Sequence, residues 1–158
     1  MEPIEHFNNP EHRFLSNFWR SPVPFDGYTV ATVEHAYQAS KSLDPDVRWA
    51  LAHAHSPAAA KAFGRRCQLR PDWESVKVSI MKDLLRLKFA PGTELAARLL
   101  ATYPADLIEG NTWGDREWGV VDGVGRNLLG LLLMEVREEL RARAAAMAAD
   151  RDIFRHEE

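Results

Sequence analysis

Apolar and polar positions change rhythm twice along the chain. Up to about residue 30 the apolar residues come in short stretches broken by Pro, Asn and Ser, with FLSNFW followed by PVPFDGYTV. Asp26-Gly27 lies between the two halves of the second stretch and predicts a hairpin turn in a small sheet. From Thr32 the punctuation becomes that of helices. Thr32 ahead of VEHAYQASK, Asp44 ahead of Pro45, Ser56 ahead of Pro57, and Thr93 each read as an N-cap, two of them with proline at the first helical position. Four or five helices are predicted to fill the middle. Between Trp73 and Phe89, the residues Val76, Ile80, Leu84 and Leu87 recur at helical spacing while Lys77, Lys82 and Arg86 fall elsewhere, and Pro91-Gly92 ends that helix. A second stripe, Leu129, Leu132, Leu133, Val136 and Leu140, marks another helix. Between the two stripes, LIEGNTWGDREWGV is too irregular to be helical.

A chain of 158 residues fits one domain. The expected organisation is a single α+β domain over 1–150, mainly helical with a few short strands, followed by a charged tail at 151–158 that frays. Apolar residues at 46% and charged residues at 27% exclude disorder over most of the length. The net charge of −3 gives no global field toward nucleic acid or an anionic membrane, so any phosphate contact has to be local. Cys67 stands alone and cannot close an internal disulfide. No leading apolar run resembles a signal peptide, and Leu128 to Met134 falls far short of the ~20 residues of a membrane helix. A cytoplasmic protein without a membrane partner is the expectation.

The six histidines, His6, His12, His35, His53, His55 and His156, show no metal-ligand spacing, so no metal is expected. GVGRN resembles a dinucleotide loop until Leu128 occupies the place of the third glycine. Two readings stay open for it: a glycine turn whose following helix N-terminus meets a phosphate, or a helix start that simply needs glycine. TVEHAYQASK is more telling. Glu34 falls in a first turn, where the helix dipole favours a carboxylate, and Glu34, Gln38 and Lys41 share one face at i, i+4 and i+7. Taken alone, such a face also describes a solvated surface. GNTWGDREWG sets Trp113, Asp115 and Trp118 among glycines, a pattern suited to stacking on a planar base. RPDWESVK adds Trp73 beside Asp72 and Glu74, and AKAFGRR adds Lys61, Arg65 and Arg66, a cluster able to hold a phosphate.

Taken in order, FLSNFW, TVEHAYQASK, SPAAAKAFGR, RPDWESVKVSIMKDLLRLKF and GNTWGDREWGV with VGRNLLGLLLMEVR resemble the NADAR family of YbiA-like N-glycosidases, from about Phe14 to Arg137. The resemblance implies a YbiA-like fold and hydrolysis of an N-glycosidic bond to a ribose phosphate, with no cofactor. The implied substrates are ribosylaminopyrimidine phosphates of riboflavin biosynthesis or ADP-ribose on guanine, the latter extending to ADP-ribosylated nucleic acid. The family's functional residues fall on Glu34, Trp73, Trp113 and Asp115, with Arg65, Asn17 and Asn127 as further substrate-binding positions. Many members carry an acid where Asn111 stands, so a role resting on that acid is in doubt here.

The chemistry of such a bond agrees. Departure of nitrogen from C1 of ribose builds oxocarbenium character, which one carboxylate stabilises while a second handles water or protons. Glu34 and Asp115 are the expected pair. Trp73 and Trp113 are expected against the leaving heterocycle, Arg65 on a phosphate, and Trp118 among the substrate-binding residues. Glu34, Trp73, Trp113 and Asp115 are expected to meet in one cleft. For Lys41 two readings stand: an amine that forms a Schiff base with C1, or an ammonium that pairs with a phosphate or with Glu34. A non-catalytic ADP-ribose or nucleotide-binding module would need the Trp and Arg residues but not the acids. The presence of both acids favours the enzyme.

Overall fold

Each N-cap read from the sequence starts a helix in the computed structural model, which describes residues 1–155. Helices α1 (Val33–Ala39), α2 (Pro45–Ala52), α3 (Pro57–Gly64) and α5 (Glu94–Ala101) follow Thr32, Asp44, Ser56 and Thr93. In each case the cap side chain accepts a backbone N–H of the first turn: that of His35, of Asp46 and Val47, of Ala59, and of Ala96. Helices α4 (Trp73–Lys88) and α6 (Leu128–Arg155) complete the set. Four short strands, β1 (Ile4–Glu5), β2 (Val23–Phe25), β3 (Tyr28–Val30) and β4 (Leu107–Ile108), make the fold α+β and mainly helical. The described residues group into two compact units, His6–Lys88 and Met1–Glu5 with Phe89 onward.

The first unit is built around α1. All seven of its residues are buried, and α2, α3, α4 and the β2–β3 hairpin pack against it. The hairpin pairs Val23 with Val30, and its two-residue turn puts Asp26 at φ 50° and Gly27 at φ 82°, the doubly positive turn that matches strand twist. Burying α1 on all sides requires partners for its polar residues. His35 Nε2 lies 2.9 Å from the Ala54 carbonyl, which can only accept, so Nε2 carries the hydrogen. Its Nδ1 then accepts from the Thr32 hydroxyl at 2.8 Å, and the same oxygen accepts the His35 N–H. Cap and imidazole share one atom.

Two expectations need correction. The inward face of α4 is Trp73, Lys77, Met81, Leu84, Leu85 and Lys88, so of the four residues read as its stripe only Leu84 is buried and Leu87 is exposed. Lysine stems cover apolar surface while their ammonium groups find oxygen, which lets Lys77 and Lys88 sit where a pattern of apolar letters expects none. Lys88 Nζ donates to the Ser16 carbonyl at 2.8 Å and Lys77 pairs with Glu74 at 2.6 Å. The expected boundary at residue 151 does not end the helix: α6 runs on to Arg155 through alanine-rich helix formers. Residues 156–158 of the expected tail lie outside the described residues.

In the second unit β1 pairs in parallel with β4, Ile4 opposite Leu107, rather than joining a sheet with its sequence neighbours. The stripe predicted for α6 is buried in full, and α5 and β4 pack on that helix. Arg137 is buried with it, donating to Thr102 Oγ1 at 2.9 Å and to the Ala105 carbonyl at 2.8 Å. Among the described residues no helix is long and apolar enough to cross a membrane.

Thr32→Ala removes the cap of α1 and strands His35 Nδ1 in the same step, and is expected to cost about 2 kcal/mol or more of stability in urea unfolding. Thr32→Ser, which keeps the oxygen, should recover most of that loss.

Candidate active site

Glu34 sits in the first turn of α1, where its N–H donates to the Asn17 carbonyl at 3.1 Å. The side chain is only 7% exposed, and Gln38, one turn on and 3% exposed, donates Nε2–H to Glu34 Oε1 at 2.7 Å. The face shared by acid, amide and amine is therefore not a solvated surface. A carboxylate held this way keeps its direction, because burial removes the water that would compete for it.

Lys41 lies just beyond α1 and is pinned through its backbone, its N–H to the Gln38 carbonyl at 3.2 Å and its own carbonyl to the Arg70 N–H at 2.7 Å. Its Nζ stands 5.8 Å from the centre of the Tyr37 ring. Burial pushes the Lys41 ammonium below the ordinary lysine range; Glu34 and Cys67 oppose that shift, while Arg65 and Lys61 reinforce it. These four groups are thus within electrostatic reach of Lys41. Arg65 is the exposed C-cap of α3, and Lys61 stands one turn earlier with its Nζ 5.8 Å from the Phe18 ring centre. The cations Lys61 and Arg65 suit an anionic ligand, and an amine whose charged form burial disfavours is a better nucleophile.

Asn17 is buried, with its Nδ2 toward Met81 Sδ at 3.5 Å and its Oδ1 without a hydrogen-bond partner. Its backbone carbonyl, by receiving Glu34, fixes the first turn. Trp73 departs from the sequence reading: it is 5% exposed and packs on Tyr37 with ring centres 5.2 Å apart, so the ring expected against a leaving heterocycle is spent on the core.

Trp113, Asp115, Trp118 and Asn127 belong to the second unit. Their loop is organised by Asn111, whose Nδ2 donates to the Asp115 carbonyl at 2.8 Å and whose Oδ1 accepts the Asp115 N–H at 3.1 Å. Asp115 in turn uses Oδ1 to accept the N–H groups of Glu117 at 3.0 Å and Trp118 at 2.9 Å. Trp113 is 56% exposed, whereas Trp118 is half-buried. Asn127, at φ 52°, donates Nδ2–H to the Leu107 carbonyl at 2.9 Å and accepts the Glu109 N–H at 3.0 Å. Both ends of its amide hold β4, so the expectation that it binds substrate gives way to a structural role. GVGRN is a glycine turn, Gly123 at φ 77°, that leads into α6. No group of three His, Cys, Asp or Glu side chains suited to a metal occurs among the described residues.

Sequence reasoning missed the Thr32–His35–Ala54 connection and the use of Asn111. The first carried a signal, a histidine three residues after a threonine cap; the second carried none, because loop hydrogen bonds leave no periodicity.

The sequence profile of the NADAR domain matches residues 6–141. N-glycosidase YbiA of Escherichia coli (strain K12) is 47% identical over 129 residues, covering 80% of each chain. A riboflavin biosynthesis protein of Vibrio vulnificus is 38% identical over 149 residues, covering 91% of this chain and 40% of its own. The NMR structure of E. coli YbiA superposes with a TM-score of 0.80 at 41% identity, covering 91% of this chain and 88% of that one.

Asn111→Asp exchanges a donor for a carboxylate facing the Asp115 carbonyl. It is expected to cost about 1–3 kcal/mol, with hydrogen exchange of the Asp115–Val120 amides accelerating ahead of those in α6.

Proposed function

The chain belongs to the NADAR family and is an N-glycosyl hydrolase, and from that premise we propose that it cleaves the bond between C1 of a ribose phosphate and the nitrogen of an aminopyrimidine, as in the early intermediates of riboflavin biosynthesis. The observation that carries the reading is the buried Glu34 carboxylate within electrostatic reach of Lys41, whose ammonium burial disfavours and which Lys61 and Arg65 also reach. The riboflavin-pathway name of the relative from Vibrio vulnificus supports the substrate class.

The cations take the phosphate, which anchors the sugar at the end remote from C1. A ribosylamine opens when its ring oxygen leaves C1, giving a C1–nitrogen imine. The neutral Lys41 amine adds to C1, and the heterocyclic amine departs with a proton as Lys41 becomes the imine partner. Water then adds to C1, and breaking of the Lys41 nitrogen–C1 bond releases the sugar phosphate as its aldehyde and restores the amine. Glu34 stabilises the cationic imines and passes protons between the departing nitrogen and the attacking water. Asp115, with one oxygen capping its own loop, is assigned the second acid role, and Trp113 the stacking role that Trp73 does not fill.

Purified Glu34→Gln is expected to keep the fold and lose at least about 100-fold in kcat, since the amide is nearly isosteric but uncharged. Arg65→Ala and Trp113→Ala should instead raise KM, the latter by an amount equivalent to roughly 1–3 kcal/mol. ADP-ribosylated guanine in the same assay tests the alternative substrate: its turnover in place of the ribosylaminopyrimidine phosphate would overturn the proposed one.

The route through Lys41 has its own test. Borohydride during turnover should fix the sugar phosphate on Lys41, visible as a mass increase. The rate should rise with pH through the lowered Lys41 range and level off before the ordinary lysine value near ~10.4. An ammonium that only pairs with phosphate predicts the opposite slope and no adduct.

A further inference from the structure

Gly64 ends α3 in ordinary helical geometry, outside the left-handed region, so no backbone conformation calls for glycine there. Space does. A Cβ at this position would overlap the Gln38 side-chain oxygen and lie 2.8 Å from its Cδ and 3.3 Å from its Cβ. Gln38 Oε1 is buried and accepts no hydrogen bond, while the other end of the same amide donates to Glu34 Oε1 at 2.7 Å. Turned round, the amide would set its oxygen against the carboxylate, acceptor against acceptor. The arrangement therefore keeps the donor toward Glu34 at the expense of an unpaired carbonyl, which only a residue without a side chain at 64 can accommodate.

We infer that Gln38 is a positioning residue for Glu34 and that Gly64 holds the Gln38 amide in register, so that the contact of α3 with α1 sets the direction of the carboxylate. This rests on the reading that Glu34 acts on the substrate. Displacing the amide by a fraction of its length turns the carboxylate without removing it, a change that falls on the chemical step more than on binding.

The test is a double-mutant cycle on the ribosylaminopyrimidine phosphate reaction, with kcat, KM and the thermal midpoint measured for Gln38→Ala, Gly64→Ala and the pair. Each single variant is expected to lower kcat at least about tenfold with KM held within about twofold. The pair should be no slower than Gln38→Ala alone, because without the amide the nearest atom to a Cβ at 64 is the residue-38 Cβ at 3.3 Å. If Gly64→Ala does not fold, the pair should regain both the fold and the kcat of Gln38→Ala. Equal losses from Gly64→Ala on both backgrounds, or wild-type kcat in Gln38→Ala, would overturn the inference. Glu34→Gln measured alongside separates the two levels: full activity there defeats the catalytic reading, whereas loss there with an unaffected Gln38→Ala defeats the positioning alone.

Discussion

A helix buried on every side cannot leave its polar groups to water, and α1 is such a helix carrying an acid, an imidazole and an amide in seven residues. Each unpaired group of this kind costs more than a typical hydrogen bond returns, so the surroundings are constrained to supply partners. The Thr32 cap oxygen, the Ala54 carbonyl and the Gln38 amide are those partners. The same constraint that settles the packing of the first unit also fixes the carboxylate on which the chemistry is placed. Stability and function draw on one set of hydrogen bonds.

Charge is arranged differently from hydrogen bonding. Lys61 and Arg65 stand on the last turn and cap of α3, where backbone carbonyls already favour cations, and they face a lysine that burial disfavours as an ammonium. The protein as a whole is slightly acidic, so this concentration of positive charge is local and its attraction for a phosphate short-ranged in salt. In the second unit the corresponding effort goes into shaping a loop. Asn111, Asp115 and Asn127 each spend side-chain atoms on backbone groups, and what the loop presents outward is Trp113.

Much of the fold was legible in the sequence because its signals are local. Caps work through a side chain and an amide two or three residues away, the hairpin turn through two positive φ angles, and the α6 stripe through its period, so all can be read from a short window. What failed depends on the other side of a contact. The face of α4 was misjudged because a lysine stem buries as readily as an aliphatic side chain when an oxygen waits for its head, and Leu87 was left outside. Trp73 was read as a ligand-facing ring from the motif it stands in, yet Tyr37, far from it in sequence, decides that it packs. For the candidate site, the spacing of Glu34, Gln38 and Lys41 gave the shared face, while the burial of Glu34 and Gln38 depends on the elements packed around α1.

The parallel pairing of β1 with β4 has a consequence for synthesis. Ile4 and Glu5 leave the ribosome well before their partners Leu107 and Ile108, with the whole first unit intervening. At roughly 5–20 residues per second, those strand edges wait about 5–20 s. Meanwhile the first unit, whose contacts close by Lys88, has its complete sequence in hand. The chain is thus threaded as an insertion: one folding unit, with the residues Glu34 and Lys41, is complete in sequence while the parallel pair of the other still lacks its second strand.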